Sequence, residues 1–162
     1  MKPIAILLIL LCIAALAGVG YLYVTSNVVI EGYGCIAYET SQRPDIFDAL
    51  KTGTVSDSFT ETLFIESEID DPSDYQFYEY TLRLRNNSFL KAEVIEIQVT
   101  PMSGDVAQLS APDEKHLSPR SSGDFSTTIL TSREMHSIRE LTVSYYLWGI
   151  PFSTRVTYRS DR

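Results

Sequence analysis

The chain has 162 residues, 44% of them hydrophobic, and a formal net charge of −8. All 21 Asp and Glu lie beyond residue 30, and of the 13 Lys and Arg only Lys2 precedes the first apolar run, so everything after that run is more negative still. Such a surface repels phosphate backbones and anionic headgroups, which excludes nucleic acid as a natural partner. The length left after one membrane segment suits a single domain.

Residues 1–3 form a short tip, and residues 4–24 then run from Ile4 to Val24 without a charge, 21 residues in all. As a helix rising 1.5 Å per residue this run spans about 31 Å, the thickness of a bilayer core. Tyr21 and Tyr23 stand at its far end, where amphipathic rings favour an interface. Lys2 precedes it, whereas Glu31, Glu39 and Asp45 follow against Arg43 alone. The positive-inside rule then predicts a cytoplasmic N-terminus in the cell membrane, with residues 25–162 outside. The rival reading is secretion after cleavage following Ala17 in Ala15-Leu16-Ala17, but the apolar run continues to Val24 and cleavage would leave a greasy terminus. Cys12 follows Leu10-Leu11, not the small residues that precede lipid-modified cysteines. Cys35 reads as a small buried hydrophobe in a β-like stretch, with no disulfide partner outside the membrane.

A short helix comes next. Pro44 and Asp45 open it, Ile46, Phe47 and Leu50 form its apolar side, and Lys51 and Gly53 close it. It is expected to cover an open end of the domain. Beyond it the hydrophobic period falls to two. Apolar residues alternate with polar ones between Phe59 and Ile69, between Tyr78 and Leu84, and between Glu93 and Val99. The same pattern returns at Leu141, Val143, Tyr145 and Leu147, and then at Phe152, Val156 and Tyr158. The breaks carry turn chemistry: Asp71-Pro72-Ser73, Asn86-Asn87-Ser88, Ser103-Gly104, Ser118-Pro119 and Gly149-Ile150-Pro151. The expected fold is an all-β antiparallel sandwich of immunoglobulin or fibronectin III-like kind. For the last hairpin, Pro151 disfavours a two-residue Gly149-Ile150 turn. The preferred reading is a four-residue loop from Gly149 to Phe152, with Tyr145 opposite Val156.

Between Tyr80 and Thr131 the order of features resembles the FxLYD and LEA-14-like domains. The matching residues are the strand ending at Asn86-Asn87-Ser88, the strand Ala92–Val99, the turn Ser103-Gly104-Asp105-Val106, and Leu117-Ser118-Pro119 leading to Phe125. The resemblance covers about a third of the chain and departs at Arg120, where those domains carry glycine. It implies a small extracytoplasmic β-sandwich of fibronectin type III-like topology, and no activity.

No nucleophile elbow, phosphate loop or zinc motif is present, and His116 and His136 lie in polar, loop-like sequence, so the chain does not read as an enzyme and no cofactor is expected. Glu66, Glu68, Asp70, Asp71 and Asp74 put five carboxylates in nine residues. Hard cations want such oxygens, but a turn glycine and regular ligand spacing are missing, and a solvated acidic loop accounts for the run equally. Asn86-Asn87-Ser88 is formally a glycosylation sequon and reads as well as a plain turn. If Leu141, Val143, Tyr145 and Leu147 face the core, Tyr146 and Trp148 point away from it. They form a candidate partner-binding pair, unless the N-terminal half covers them. The sequence therefore predicts a membrane-anchored extracytoplasmic interaction or structural module. The alternative is a ligand- or ion-binding domain that uses the acidic loop.

Overall fold

The computed structural model describes residues 2–52, 60–64, 69, 71–110, 115–133 and 138–159. Helix α1 (Lys2–Thr25) projects from the domain, and its large apolar side chains between Ile4 and Val24 are exposed except Leu22, which is half-buried at the domain end. Helix α2 spans Pro44–Thr52. The strands are β1 (Val28–Glu39), β2 (Thr60–Leu63), β3 (Tyr75–Asn86), β4 (Ala92–Val99), β5 (Asp105–Ser110), β6 (Ser122–Ser132), β7 (Ile138–Leu147) and β8 (Ile150–Arg159). They form two antiparallel sheets, one ordered β1-β3-β6-β5-β2 and the other β4-β7-β8.

The alternation read over β3, β4 and β7 places the core correctly, whereas in the stretch from Phe59 to Ile69 Leu63 is exposed on β2 and Ile69 joins a separate cluster, with Phe59 and Ile65 outside the described residues. Tyr78, Tyr80, Leu82 and Leu84 of β3 meet Ile95, Ile97 and Val99 of β4 and Leu141, Val143, Tyr145 and Leu147 of β7 between the sheets. Burial of this set is the main stabilising term of the domain. A second apolar cluster lies on the outer face of the larger sheet, where Phe47 and Leu50 of α2 pack on Phe77, Ala107, Leu109 and Leu130. Helix α2 therefore covers the outer face of the larger sheet and not an open end of the sandwich. The reason is Phe77: it points opposite to Tyr78, and an aromatic on that face needs a cover.

Polar side chains tie the sheets together. Strand β4 is an edge strand, yet the Gln108 amide of β5 donates to the Ile97 carbonyl at 2.6 Å and accepts from the Val99 N–H at 3.0 Å. The backbone of Leu117 exchanges two further bonds with Ala92, at 2.9 and 2.8 Å. Side chain and loop thus satisfy the edge groups that a neighbouring strand would otherwise pair.

The C-terminal hairpin corrects one expectation. Its turn is Trp148-Gly149, with Leu147 opposite Ile150 and Tyr145 opposite Phe152, not a four-residue loop with Tyr145 opposite Val156. Both turn residues have positive φ, 54° and 74°, the signature of a two-residue type I′ turn. In this register Pro151 faces Tyr146 in the pair next to the turn-flanking one, so its missing N–H falls on the free edge of β8. The parity of the core is unchanged. Truncating Val143, which is fully buried, to alanine should lower the unfolding free energy by about 1–3 kcal/mol. Denaturant melts of the full chain in detergent measure this, and a silent Val143→Ala would refute the assignment of the core face.

Candidate functional site

Only Ser26 and Asn27 separate α1 from β1. Both are fixed. The Ser26 N–H donates to the Leu22 carbonyl and its buried side chain bonds the Ser88 hydroxyl at 3.1 Å. The Asn27 carbonyl accepts from the Asn87 N–H at 2.9 Å, and the Val28 N–H donates to the Tyr145 hydroxyl at 3.1 Å. Rings continue the connection: Tyr23 of α1 lies 5.7 Å from Phe152, which stacks on Tyr145 at 5.8 Å. The helix is thus joined to the core by packing as well as by the chain.

Three loops surround this junction, and Asn86 holds two of them. Its amide donates to the carbonyls of Leu90, Leu117 and Ser118 at 2.7, 3.2 and 3.2 Å, and its oxygen accepts from the Ser88 N–H. Asn86 is fully buried, so the sequon is a structural clamp in the folded chain. The loop after Asn86 presents Phe89, 64% exposed, with the Arg120 guanidinium 4.1 Å above its ring. The third loop is the turn carrying Trp148, 73% exposed. Trp148, Ile150 and Phe152 line an apolar recess of about 110 Å³ against Val19, Leu22 and Tyr23 of α1.

The predicted pair is thereby divided. Tyr146 is on the outer face of the smaller sheet, beside Val94, Glu96 and Pro151 in a separate shallow depression. Trp148 has left the strand and sits at the turn, level with the last turns of α1. Both are exposed, Tyr146 by its strand parity and Trp148 by its place in the turn. The N-terminal segment does approach one of them, since α1 flanks Trp148.

Of the acidic run, Glu66, Glu68 and Asp70 lie outside the described residues. Asp71 caps a 3₁₀ turn at Pro72–Asp74, accepting from the Ser73 N–H at 2.9 Å, and that bond lowers its carboxyl below the ordinary range. Among the described residues no three His, Cys, Asp or Glu side chains converge as metal ligands. His116 is exposed; His136 lies outside the described residues.

One buried cluster has no counterpart in the sequence analysis. Arg139 of β7 and Asp105 of β5 form a bidentate pair between the sheets, at 2.6 and 2.7 Å, with both side chains fully buried. Asp105 also accepts from the Met102 N–H at 2.7 Å. Burial works against the Arg139 charge, but the bonds and charge of Asp105 outweigh it and hold the guanidinium above its ordinary value. The cluster extends through Tyr80, whose ring lies 5.5 Å from that of Tyr158, to half-buried Cys35, which pairs with Tyr80 across β1 and β3. Burial pushes the Cys35 thiol up to about 11, against the opposing pull of the Tyr80 and Tyr158 hydroxyls. A thiol so poorly ionised at neutral pH is no nucleophile.

No family model and no curated protein matches the chain. Similar solved structures include the GAE domain of yeast GGA1, 14% identical with a TM-score of 0.39, covering 66% of this chain and 95% of that one. Another is a FixG-related protein from Vibrio parahaemolyticus, 9% identical with a TM-score of 0.35, covering 66% and 100%. A protein described as ApaA from Bordetella pertussis is 16% identical with a TM-score of 0.36, covering 83% and 99%. Scores at this level carry no argument about role, and neither FxLYD nor LEA-14-like domains are among these three.

Two outcomes test the buried cluster. Asp105→Ala strands a buried guanidinium and should destabilise the fold by about 3–5 kcal/mol, whereas the double change Asp105→Leu with Arg139→Met should recover much of that loss. Equal destabilisation by both variants, read from chemical melts, would contradict this account. Alkylation of Cys35 in the native protein should be slow at neutral pH and accelerate as pH rises toward 11, because thiolate forms only there. Fast labelling at pH 7 would show an ionised thiol.

Proposed function

We propose that the chain is a membrane-anchored extracytoplasmic β-sandwich that serves as an interaction or structural module. The observation that carries this reading is α1: the most apolar 18 residues within Pro3–Thr25 have a mean hydropathy of 2.7, and none of them is buried against the domain. A helix this apolar, open along all but its last turns, needs a hydrophobic medium. The reading takes the folded part as non-catalytic. Among the described residues the buried Arg139 and Asp105 pair with each other and Cys35 is held neutral by burial. The fibronectin III-like resemblance remains part of the proposal, through the strand and turn order between Tyr80 and Thr131.

Orientation follows from Lys2 at the inner end and the acidic outer domain. A reporter that is active only outside the cytoplasm, fused after Arg162, should be active, and its cytoplasm-only counterpart should be silent. The opposite pair of results would reverse the topology. Intact mass should retain Met1 or Lys2 at the N-terminus; a mature chain beginning at Gly18 would instead establish secretion after cleavage.

A further inference from the structure

The loops nearest α1 differ chemically from the rest of the domain. Asn86–Lys91, Leu117–Ser121 and Leu147–Ile150 contain no acidic residue, and their ionisable side chains are Lys91 and Arg120. At the other end stand Glu39, Asp45, Asp48, Asp71 and Asp74, with Arg43, Lys51 and Arg133 among them. Strand β1 separates the two ends by 12 residues, roughly 40 Å at ~3.3 Å each. The loops beside the helix are therefore free of negative charge, and the nearest carboxylates, Glu31 and Glu93, are paired with Arg83, Arg85 and Lys91, so the repulsion of lipid headgroups expected from composition is weakest at this end.

Geometry points the same way. With two ordered residues between α1 and β1, the sandwich has no tether that would let it stand clear of whatever surrounds the helix. Trp148 flanks Val19, Leu22 and Tyr23, residues of the apolar span itself. It does so at a backbone cost. A bulky residue at φ 54° is strained, and asparagine is the ordinary choice for the first position of such a turn. Strain retained at an exposed tip is explained by what the side chain touches.

We propose that this end of the sandwich rests on the outer bilayer interface, with Trp148, Phe89 and Ile150 among the headgroups and lipid hydrocarbon filling the recess beside α1. The inference rests on the anchored reading and adds a fixed orientation of the domain to it. Trp and Phe at this depth gain the mixed apolar and wet surroundings that suit them, and Arg120 over Phe89 keeps its charge at the polar boundary.

Trp148 is the single tryptophan of the chain, so its fluorescence reports this contact directly. The full chain is reconstituted in phosphatidylcholine vesicles, and flotation scores the anchor. Spin-labelled lipids carrying the nitroxide near the headgroup should quench Trp148 strongly, and labels at the chain terminus weakly. Aqueous iodide should quench it less than it quenches a tryptophan placed at the distal end by Ile138→Trp in a Trp148→Phe background. A chain that floats while Trp148 is lipid-insensitive and as iodide-accessible as the distal reporter overturns the interface contact and leaves the anchor standing. A chain that does not float overturns both.

Discussion

Two residues set the geometry of this molecule. Ser26 and Asn27 carry the chain from α1 into β1, and each is hydrogen-bonded into the domain. A longer or freer link would let a β-sandwich tumble beside its helix. Here the helix end, the Asn86 loop and the Trp148 turn form one packed unit, extended inward by Tyr23, Phe152 and Tyr145. The orientation of every strand relative to α1 follows from that junction. The loops it sets beside the helix, Asn86–Lys91, Leu117–Ser121 and Leu147–Ile150, carry no acidic residue.

Much of the inner core could be read from the sequence, and for one reason. Strands β3, β4 and β7 each bury one face between the sheets, so their apolar residues alternate and their parity is unambiguous. Strands β5 and β6 were not legible in this way. The residues of β5 are buried on both faces, beneath α2 on one side and the smaller sheet on the other, and Ile129-Leu130-Thr131 of β6 is continuously buried. Such runs lose the period of two. Strand β1 carries Gly32 and Gly34 and a register shift between Ile30 and Gly32, which interrupts its pattern as well.

The site was legible in part. Strand parity placed Tyr146 and Trp148 away from the core, but it could not place the turn, because a tryptophan at positive φ violates the preference used to locate turns. Arg139 and Asp105 were missed because each sits in a polar sequence context and is buried only through the other. Their signal was slight: Arg139 shares its parity with Leu141 and Val143, a charged residue in a core register. Edge protection was equally hidden. Gln108 closes β4 by mimicking a neighbouring strand, whereas β8 has Pro151 on its free edge and Arg155 paired with Glu140.

The Asn86 clamp bears on how the chain must be made. Oligosaccharide transfer acts on an unfolded acceptor, and Asn86-Asn87-Ser88 offers one. The atom that a glycan would take is the amide nitrogen that reaches Leu90, Leu117 and Ser118. A sugar there leaves those carbonyls unpaired and wedges apart the loops beside the helix. Folding and glycosylation therefore compete for one nitrogen atom.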